Sequence, residues 1–424
     1  MLLFILFISI LMVIATGIPV GIGLGVVGFL FYLFFEGSSA FISLPQTIFE
    51  SNNSFLLTAI PMFILMSEIL RKANVTELLF ETVTKWVGHL PGGLAVSTVI
   101  TCAIGASITG SSVANAASMS IVAGPPMINR GYDSKFTYGL IAASGTLGIL
   151  IPPSIPMLLF ASITEVSIGK LFISGLIPGL ILVLMLCVYV ILKDGFNNKR
   201  IKLEKASFQV RYQLTKKALP ALCLPIIVVG GIYAGFFTPT EAAGIGVLLA
   251  FLLGFFWYRT LKITDILDIF KESLHSTCMI LLLIAGSMVL GHAITTMQIS
   301  DQLVKIISDY DVSQFVFIIL IMLLLFILGC ILEVVSVIYI VVPILFPVVE
   351  ALGIEPIWFA IIFIVNMEIA LITPPLGMNL YVISGIAKRP IAEIMIGSMP
   401  FVLIFLFFLF LLILFPAIST ILIS

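Results

Sequence analysis

From Leu2 to Phe35 this chain carries no charged side chain, and the same holds from Leu94 to Met127, two runs of 34 residues each. Phe315 to Val349 carries one, Glu333. A helix crosses the ~30 Å hydrocarbon core of a bilayer with about 20 residues, and 34 residues in one helix would span roughly 51 Å. Such runs must tilt, break or fold back on themselves. Composition excludes the alternative of a soluble core: 61% of residues are hydrophobic and 10% charged, against roughly 45–50% and 25% in soluble domains. The net charge of -1 offers no basic surface for a polyanion, so no nucleic-acid partner is expected and membrane lipid is the solvent. The five cysteines form no C-x-x-C, and His89, His275 and His292 form no H-E-x-x-H, so neither a disulfide framework nor a transition-metal site is indicated.

Simple spans are expected near 54–70, 137–163, 171–192, 218–237, 241–258, 274–294, 357–386 and 395–420. The first run should break at Gly17–Gly23, where Pro19 removes a helix donor, as one crossing or as two. No basic residue precedes Arg71, so the charged start of a cleaved signal peptide is missing and the first segment is expected to be retained. Lys193, Lys199, Arg200, Lys202, Lys205, Arg211, Lys216 and Lys217 crowd one polar connector, which the positive-inside rule makes cytoplasmic. Counting outward puts Arg71, Lys72, Arg130, Lys135, Arg259, Lys262, Lys271, Lys388 and Arg389 inside too. Asp301–Asp311 and the connector Glu36–Asn53, which has no basic residue, fall outside.

The other two long runs read as re-entrant hairpins, about 94–127 entering from the cytoplasm and about 315–349 entering from outside. Irregular backbone at membrane depth is tolerated only inside protein or along a wet cavity. Sliding the chain on itself by 222 residues pairs Pro125 with Pro347, Gly131 with Gly353, Pro152 and Pro153 with Pro374 and Pro375, Leu158 with Leu380 and Ser162 with Ser384. Each half then reads hairpin, turn, and a helix broken at Pro-Pro. The fold class is therefore an all-α polytopic membrane protein with an inverted repeat, a transporter architecture whose paired breaks mark the substrate and ion site.

At the breaks, prolines free carbonyls one turn earlier, and such hard oxygens suit Na⁺. Gly145, Gly148 and Leu150 flank the first break, and Ala370, Thr373 and Met378 the second. Ser107, Ser111 and Ser112 supply hydroxyls beside the first, and Gly329 with the turn around Glu333 faces the second. Helix N-termini at the hairpin tips favour an anionic substrate group. Glu333 and Glu368 are intramembrane acids and functional candidates by default.

The stretches GASITGSSVANAAS at 105–118, GILIPPSIPMLLF at 148–160, GGIYAGFFTPTEAAG at 230–244 and TPPLGMNLYVISGIA at 373–387, with TGIPVGIGLG at 16–25, resemble the large membrane subunit of tripartite ATP-independent periplasmic (TRAP) transporters. The resemblance implies Na⁺-coupled uptake of an organic acid such as sialic acid or a C4-dicarboxylate across the bacterial inner membrane, by an elevator mechanism and without a cofactor. It also implies two partners, a small four-helix membrane subunit and a periplasmic substrate-binding protein. Under it the mobile unit comprises 91–165 and 314–387, the scaffold 1–90 and 166–313, and a C-terminal helix 388–424. Sodium falls to Ser107, Ser112, Gly145, Gly148, Leu150, Gly329, Ala370, Thr373 and Met378. Substrate falls to Ser111, Asn115, Ser154, Glu333 and Asn379. Glu333 stands where many relatives of that family carry Asp.

Two other readings stand beside it. One is a self-sufficient Na⁺/dicarboxylate carrier of similar design. The other is an intramembrane hydrolase using Ser107 or Ser111 with His275 or His292, but no G-x-S-x-G surrounds either serine.

Overall fold

The computed structural model describes residues 2–195 and 203–423, and these form helices with no strand. Lys199, Arg200 and Lys202 of the basic connector lie outside the described residues. Seven of the described helical segments are long and apolar enough to cross a bilayer: Val20–Glu50, Ile168–Lys193, Phe208–Tyr233, Pro239–Trp257, Asp265–Thr296, Val334–Ala351 and Ile391–Leu414. The chain is a multi-pass membrane protein.

Helices α1 (Leu2–Ala15) and α2 (Val20–Glu36) divide the first uncharged run, with Pro19 at the N-cap of α2, where the missing N–H costs nothing. The connector expected at Glu36–Asn53 is instead largely helical, forming α3 (Ala40–Asn52), because its apolar residues continue the pattern of α2. Helix α4 (Ala59–Lys72) then leads to amphipathic α5 (Val75–Val87), which buries Val75, Leu79 and Phe80.

The first long interrupted run is a helical hairpin of α6 (Gly93–Thr109) and α7 (Ser112–Val122), opened at Gly110 and Ser111. After the short α8 (Gly124–Asn129), helix α9 (Ser134–Thr146) ends in a single 3₁₀ turn, and the Pro152-Pro153 break precedes α10 (Ile155–Thr164). Helix α11 (Ile168–Gly195) follows. Helix α12 (Phe208–Tyr233) begins ten residues earlier than the span expected from Ala218, because the Ser207 hydroxyl accepts the Val210 N–H and starts the helix. Arg211, Lys216 and Lys217 therefore sit on a helix and not in a connector. Helix α13 (Pro239–Leu252) starts with a capping box between Thr238 and Glu241, and α14 (Asp265–Thr296) and α15 (Ile299–Asp309) complete the middle of the chain.

The second half repeats the order. Helices α16 (Gln314–Gly329) and α17 (Val334–Ala351) form a hairpin opened at Cys330–Glu333. Helix α18 (Pro356–Leu371) breaks at Pro374-Pro375 before α19 (Met378–Ala387), and α20 (Ile391–Leu414) follows. Across the 222-residue offset the tips are in register: Ser111 is the N-cap of α7 and Glu333 the N-cap of α17. The repeats also interlock reciprocally, with α7 packed on α19 and α17 packed on α10.

Close approaches fix which ends lie together. A Cβ on Gly397 of α20 would sit 1.9 Å from the Lys135 carbonyl, so the start of α9 and the start of α20 share one end of the molecule. Helix α19 runs to that end from its break, so α18, which feeds the same break, enters from the other end. The two broken helices are antiparallel in this sense, which makes the repeat inverted. At the end assigned to the cytoplasm, Lys72 bridges Asp265 at 3.5 Å and Asp268 at 3.6 Å, and the Thr260 hydroxyl donates to the Ala73 carbonyl. The charge-derived topology requires these groups on one side, and the fold puts them there.

Candidate substrate and ion site

Both hairpin tips and both breaks open onto one cavity of about 70 Å³. Gly110, Ser111 and Ser112 line it from the first tip, and Glu333, Val334 and Val335 from the second. Ile149 and Ile155 contribute from the first break, Leu371 and Met378 from the second. The first residues of α7, α10, α17 and α19 thus converge, and with them the positive partial charge of four helix starts, although at α10 the N–H groups of Ile155 and Met157 are already bonded within the protein. Ile149, in the turn that follows α9, and Leu371, the last residue of α18, line the same cavity, so helix C-termini of negative partial charge meet the helix starts there.

Each tip is tied to the broken helix of its own repeat by one backbone bond. The Ile155 N–H donates to the Gly110 carbonyl at 3.3 Å, and the Leu376 N–H donates to the Cys330 carbonyl at 3.2 Å. In both cases the residue at or just before the restarting helix clasps the hairpin tip. Gly148 lies so close that a Cβ there would meet the Ser111 carbonyl at 2.6 Å, and one on Gly329 would meet the Ala370 Cβ at 2.7 Å. Glycine is what lets hairpin and broken helix touch.

The freed carbonyls are partly re-used inside the protein. The Ser154 hydroxyl donates to the Ile149 carbonyl at 2.6 Å, and Leu150 and Ile151 both donate to Leu147. In the second repeat, Thr373 donates through its N–H to the Ala370 carbonyl and through its hydroxyl to the Ile369 carbonyl, the latter at 2.6 Å. The Leu150 carbonyl lies against Gly175 of α11, and the Gly145 carbonyl accepts from the Asn115 amide at 3.4 Å.

Of the five substrate candidates, Ser111 and Glu333 line the cavity. The Glu333 carboxylate makes no capping bond, whereas the Ser111 hydroxyl accepts from the Ala114 N–H. The structure gives the other three internal work. Asn115 is buried and donates to the Cys102 carbonyl at 2.9 Å, joining the arms of its hairpin. Ser154 caps α10 from within the break. Asn379 is fully buried, and its Nδ2 lies 2.7 Å from Ser112 Oγ, a bond between the two repeats. Among the sodium candidates, Ser112 and Met378 line the cavity, whereas Ser107 opens on a different, apolar cavity between α6, α11 and α12. Sequence reasoning missed Ile280 of α14, which lines the site from outside both repeats. An isoleucine in a 32-residue helix carries no signal that could have found it.

The chain matches, over residues 7–418, the family model described as "Tripartite ATP-independent periplasmic transporter, DctM component". It belongs to that family. It is 37% identical over 398 residues to the C4-dicarboxylate TRAP transporter large permease protein DctM of Pseudomonas aeruginosa, covering 93% of this chain and 92% of that protein. It is 33% identical to the sialic acid TRAP transporter large permease protein SiaM of Vibrio cholerae, covering 91% and 90%. The Alcanivorax borkumensis YdaH transporter shares its fold, with a TM-score of 0.66 at 13% identity, covering 90% of this chain and 89% of that one. The DctM-family chain is thus a transporter permease and not an enzyme. One of the two histidines offered as a base for hydrolysis, His292, fits that conclusion. His292 packs at a tilt against Tyr32, 4.8 Å between ring centres, and lines a cavity with Ser43, Thr47 and Glu50, away from the hairpin serines.

Proposed function

We propose that this DctM-family permease carries out Na⁺-coupled uptake of an organic acid across the bacterial inner membrane. The substrate is handed to it by a periplasmic binding protein, and it works together with a small four-helix membrane subunit. The observation that carries the reading is the single cavity on which both tips and both breaks converge. Helix starts there favour a carboxylate, while the ends of α9 and α18, the Ser112 hydroxyl and the Glu333 carboxylate favour a small cation. Gly148, Gly329, Ala370, Thr373 and Met378 surround the same two breaks and complete the proposed sodium environment.

At about 70 Å³ the cavity suits ions and water, whereas pockets for organic ligands run to about 300–1,000 Å³. Substrate entry therefore requires the hairpins to part. In the proposed cycle the two repeats, 91–165 and 314–387, slide as one body past the remaining helices and carry the site from one face to the other. C4-dicarboxylates and sialic acid, named for two relatives, are the first substrates to try.

Reconstitution of the chain with its small subunit and a loaded binding protein tests this. Uptake should fall at least about tenfold when external Na⁺ is replaced by choline, a loss of ~1.4 kcal/mol in driving interaction. Equal uptake in Na⁺-free buffer, or from the membrane subunits without binding protein, would contradict the proposal.

A further inference from the structure

Arg211, in the first turn of α12, is the one buried arginine among the described residues, with 9% of its surface exposed. Its guanidinium lies over the Trp86 ring, 5.5 Å from the ring centre, and its Nε and Nη2 have no hydrogen-bond partner. A buried carboxylic acid can neutralise itself by taking a proton, but a guanidinium stays charged in proteins. Two unmet donors on a buried cation therefore ask for an anion.

The surroundings say what kind. Lys205 precedes the helix and Lys216 and Lys217 follow on it, opposed by Glu204 and by Glu77 and Glu81 across the cavity that Lys217 shares, and the positive-inside count places this end at the cytoplasmic surface. Trp86 is 41% exposed and donates its indole N–H to the Thr215 hydroxyl at 2.8 Å, the half-wet setting of an interfacial tryptophan. Above Arg211, the exposed apolar residues Phe208, Tyr212, Leu219 and Ile226 fall within about 40° of one another around α12 and form one stripe. That stripe runs into the apolar cavity between α6, α11 and α12, about 550 Å³, lined by Ile226 and Gly230 of α12 and by Ile104 and Ser107 of α6. From Arg211 to Ile226 the helix rises roughly 22 Å, about the thickness of one leaflet with its headgroups.

We propose that one phospholipid of the cytoplasmic leaflet binds here, its phosphate on Arg211 over Trp86 and one acyl chain along α12 into the cavity beside the first Pro-Pro break. The site rests on the membrane setting of the chain and not on the coupling ion or substrate. Lipid in this place fills the gap between the first repeat and α11–α12 without occupying the tip cavity.

Native mass spectrometry of the full chain, titrated with dipalmitoyl phosphatidylglycerol after delipidation, tests it. The wild type should retain one lipid, and Arg211→Met should raise the lipid concentration for half occupancy by about 10- to 100-fold, as expected for losing charge-assisted hydrogen bonds. Arg211→Lys keeps the charge but loses the fork and the ring stacking, so it should fall between the two and serves if the methionine variant does not fold. A Cβ at Gly230 meets nothing within 4 Å, so Gly230→Phe should fill the cavity, weakening dipalmitoyl but not dihexanoyl lipid. Three results would overturn the proposal. One is equal lipid retention by wild type and the Arg211 variants. Another is displacement of the lipid by inorganic phosphate at matching concentration, which marks a free-anion site. The third, read when the same measurement is repeated on the chain assembled with its proposed small membrane subunit, is loss of that subunit from Arg211→Met with lipid retention unchanged, which marks a protein carboxylate as the partner.

Discussion

The two hairpin tips occupy equivalent places in the repeat and are built from different chemistry. The first is rich in small and polar residues: Asn115 joins its arms, Ser112 bonds to Asn379 of the other repeat, and Gly148 lets it seat on backbone. The second is apolar except for Glu333, Cys330 and the buried Ser336. Its seat is made by Gly329 against Ala370 and Met367, and its helix α16 is held by the Asn366 amide donating to the Met322 carbonyl at 2.6 Å. The backbone plan therefore does not depend on a particular set of side chains. What it does require is a helix start at the cavity and a glycine where hairpin and broken helix touch. The first tip contributes hydroxyls and the second a carboxylate, so the two sides of one cavity are chemically unequal.

The largest expected effect tests the seats. Gly148→Ala would drive a Cβ into the Ser111 carbonyl at 2.6 Å, where no side-chain rotation relieves it. Overpacking of this kind costs about 1–3 kcal/mol, and uptake should drop more than about tenfold with a lowered Tm. Gly329→Ala should cost less, since two of its three nearest atoms belong to the flexible Met367 side chain. Equal losses in both would mean that the two seats are mechanically alike.

A smaller effect distinguishes the clasps. Asn115→Ala removes the side-chain hydrogen bonds to the Cys102 and Gly145 carbonyls, whereas Asn366→Ala removes the one to that of Met322. Each lost bond costs about 0.5–1.5 kcal/mol, so thermal unfolding should show the larger Tm loss for Asn115→Ala, which loses two. Glu333→Gln comes next. Its side chain makes no capping bond, so folding should hold while the Na⁺ concentration for half-maximal uptake rises several-fold. Ser111→Ala, at the equivalent position, should shift it less. The smallest effect is expected from Ser107→Ala, because that hydroxyl donates to the Ile104 carbonyl and faces the apolar cavity. A Na⁺ shift as large as that of Glu333→Gln would place Ser107 at the ion site after all.

The first tip and both breaks were legible because Gly, Ser and Pro announce backbone interruptions whatever surrounds them, and Gly110-Ser111 and both Pro-Pro steps lie where the pattern places them; the second tip, Cys330–Glu333, has none of these residues and was legible from its lone charge in an overlong apolar run. The charge asymmetry was equally readable, since Lys72 and Asp265 meet as the topology requires. What could not be read is the direction in which a polar side chain faces. Asn115, Ser154 and Asn379 lie beside the breaks in sequence, yet each spends its donors on neighbouring protein groups, because a buried amide or hydroxyl must find a partner. A residue doing that and a residue facing a ligand look alike in a one-dimensional pattern. The early start of α12 was hidden for a related reason, its cap at Ser207 lying in a stretch whose lysines suggest a loop.

If the two unlike tips flank one transport site, as proposed, that site is reached from one side of the membrane at a time. The most direct measurement is labelling of Ser111→Cys, in a chain whose five native cysteines have been replaced, by a membrane-impermeant thiol reagent added to either face of sealed vesicles. Ser111 should label from one face at a time, and Na⁺ with substrate-loaded binding protein should change the ratio between the two faces, since a ligand shifts a two-state equilibrium by preferring one state. Equal labelling from both faces, indifferent to Na⁺ and substrate, would contradict the claim.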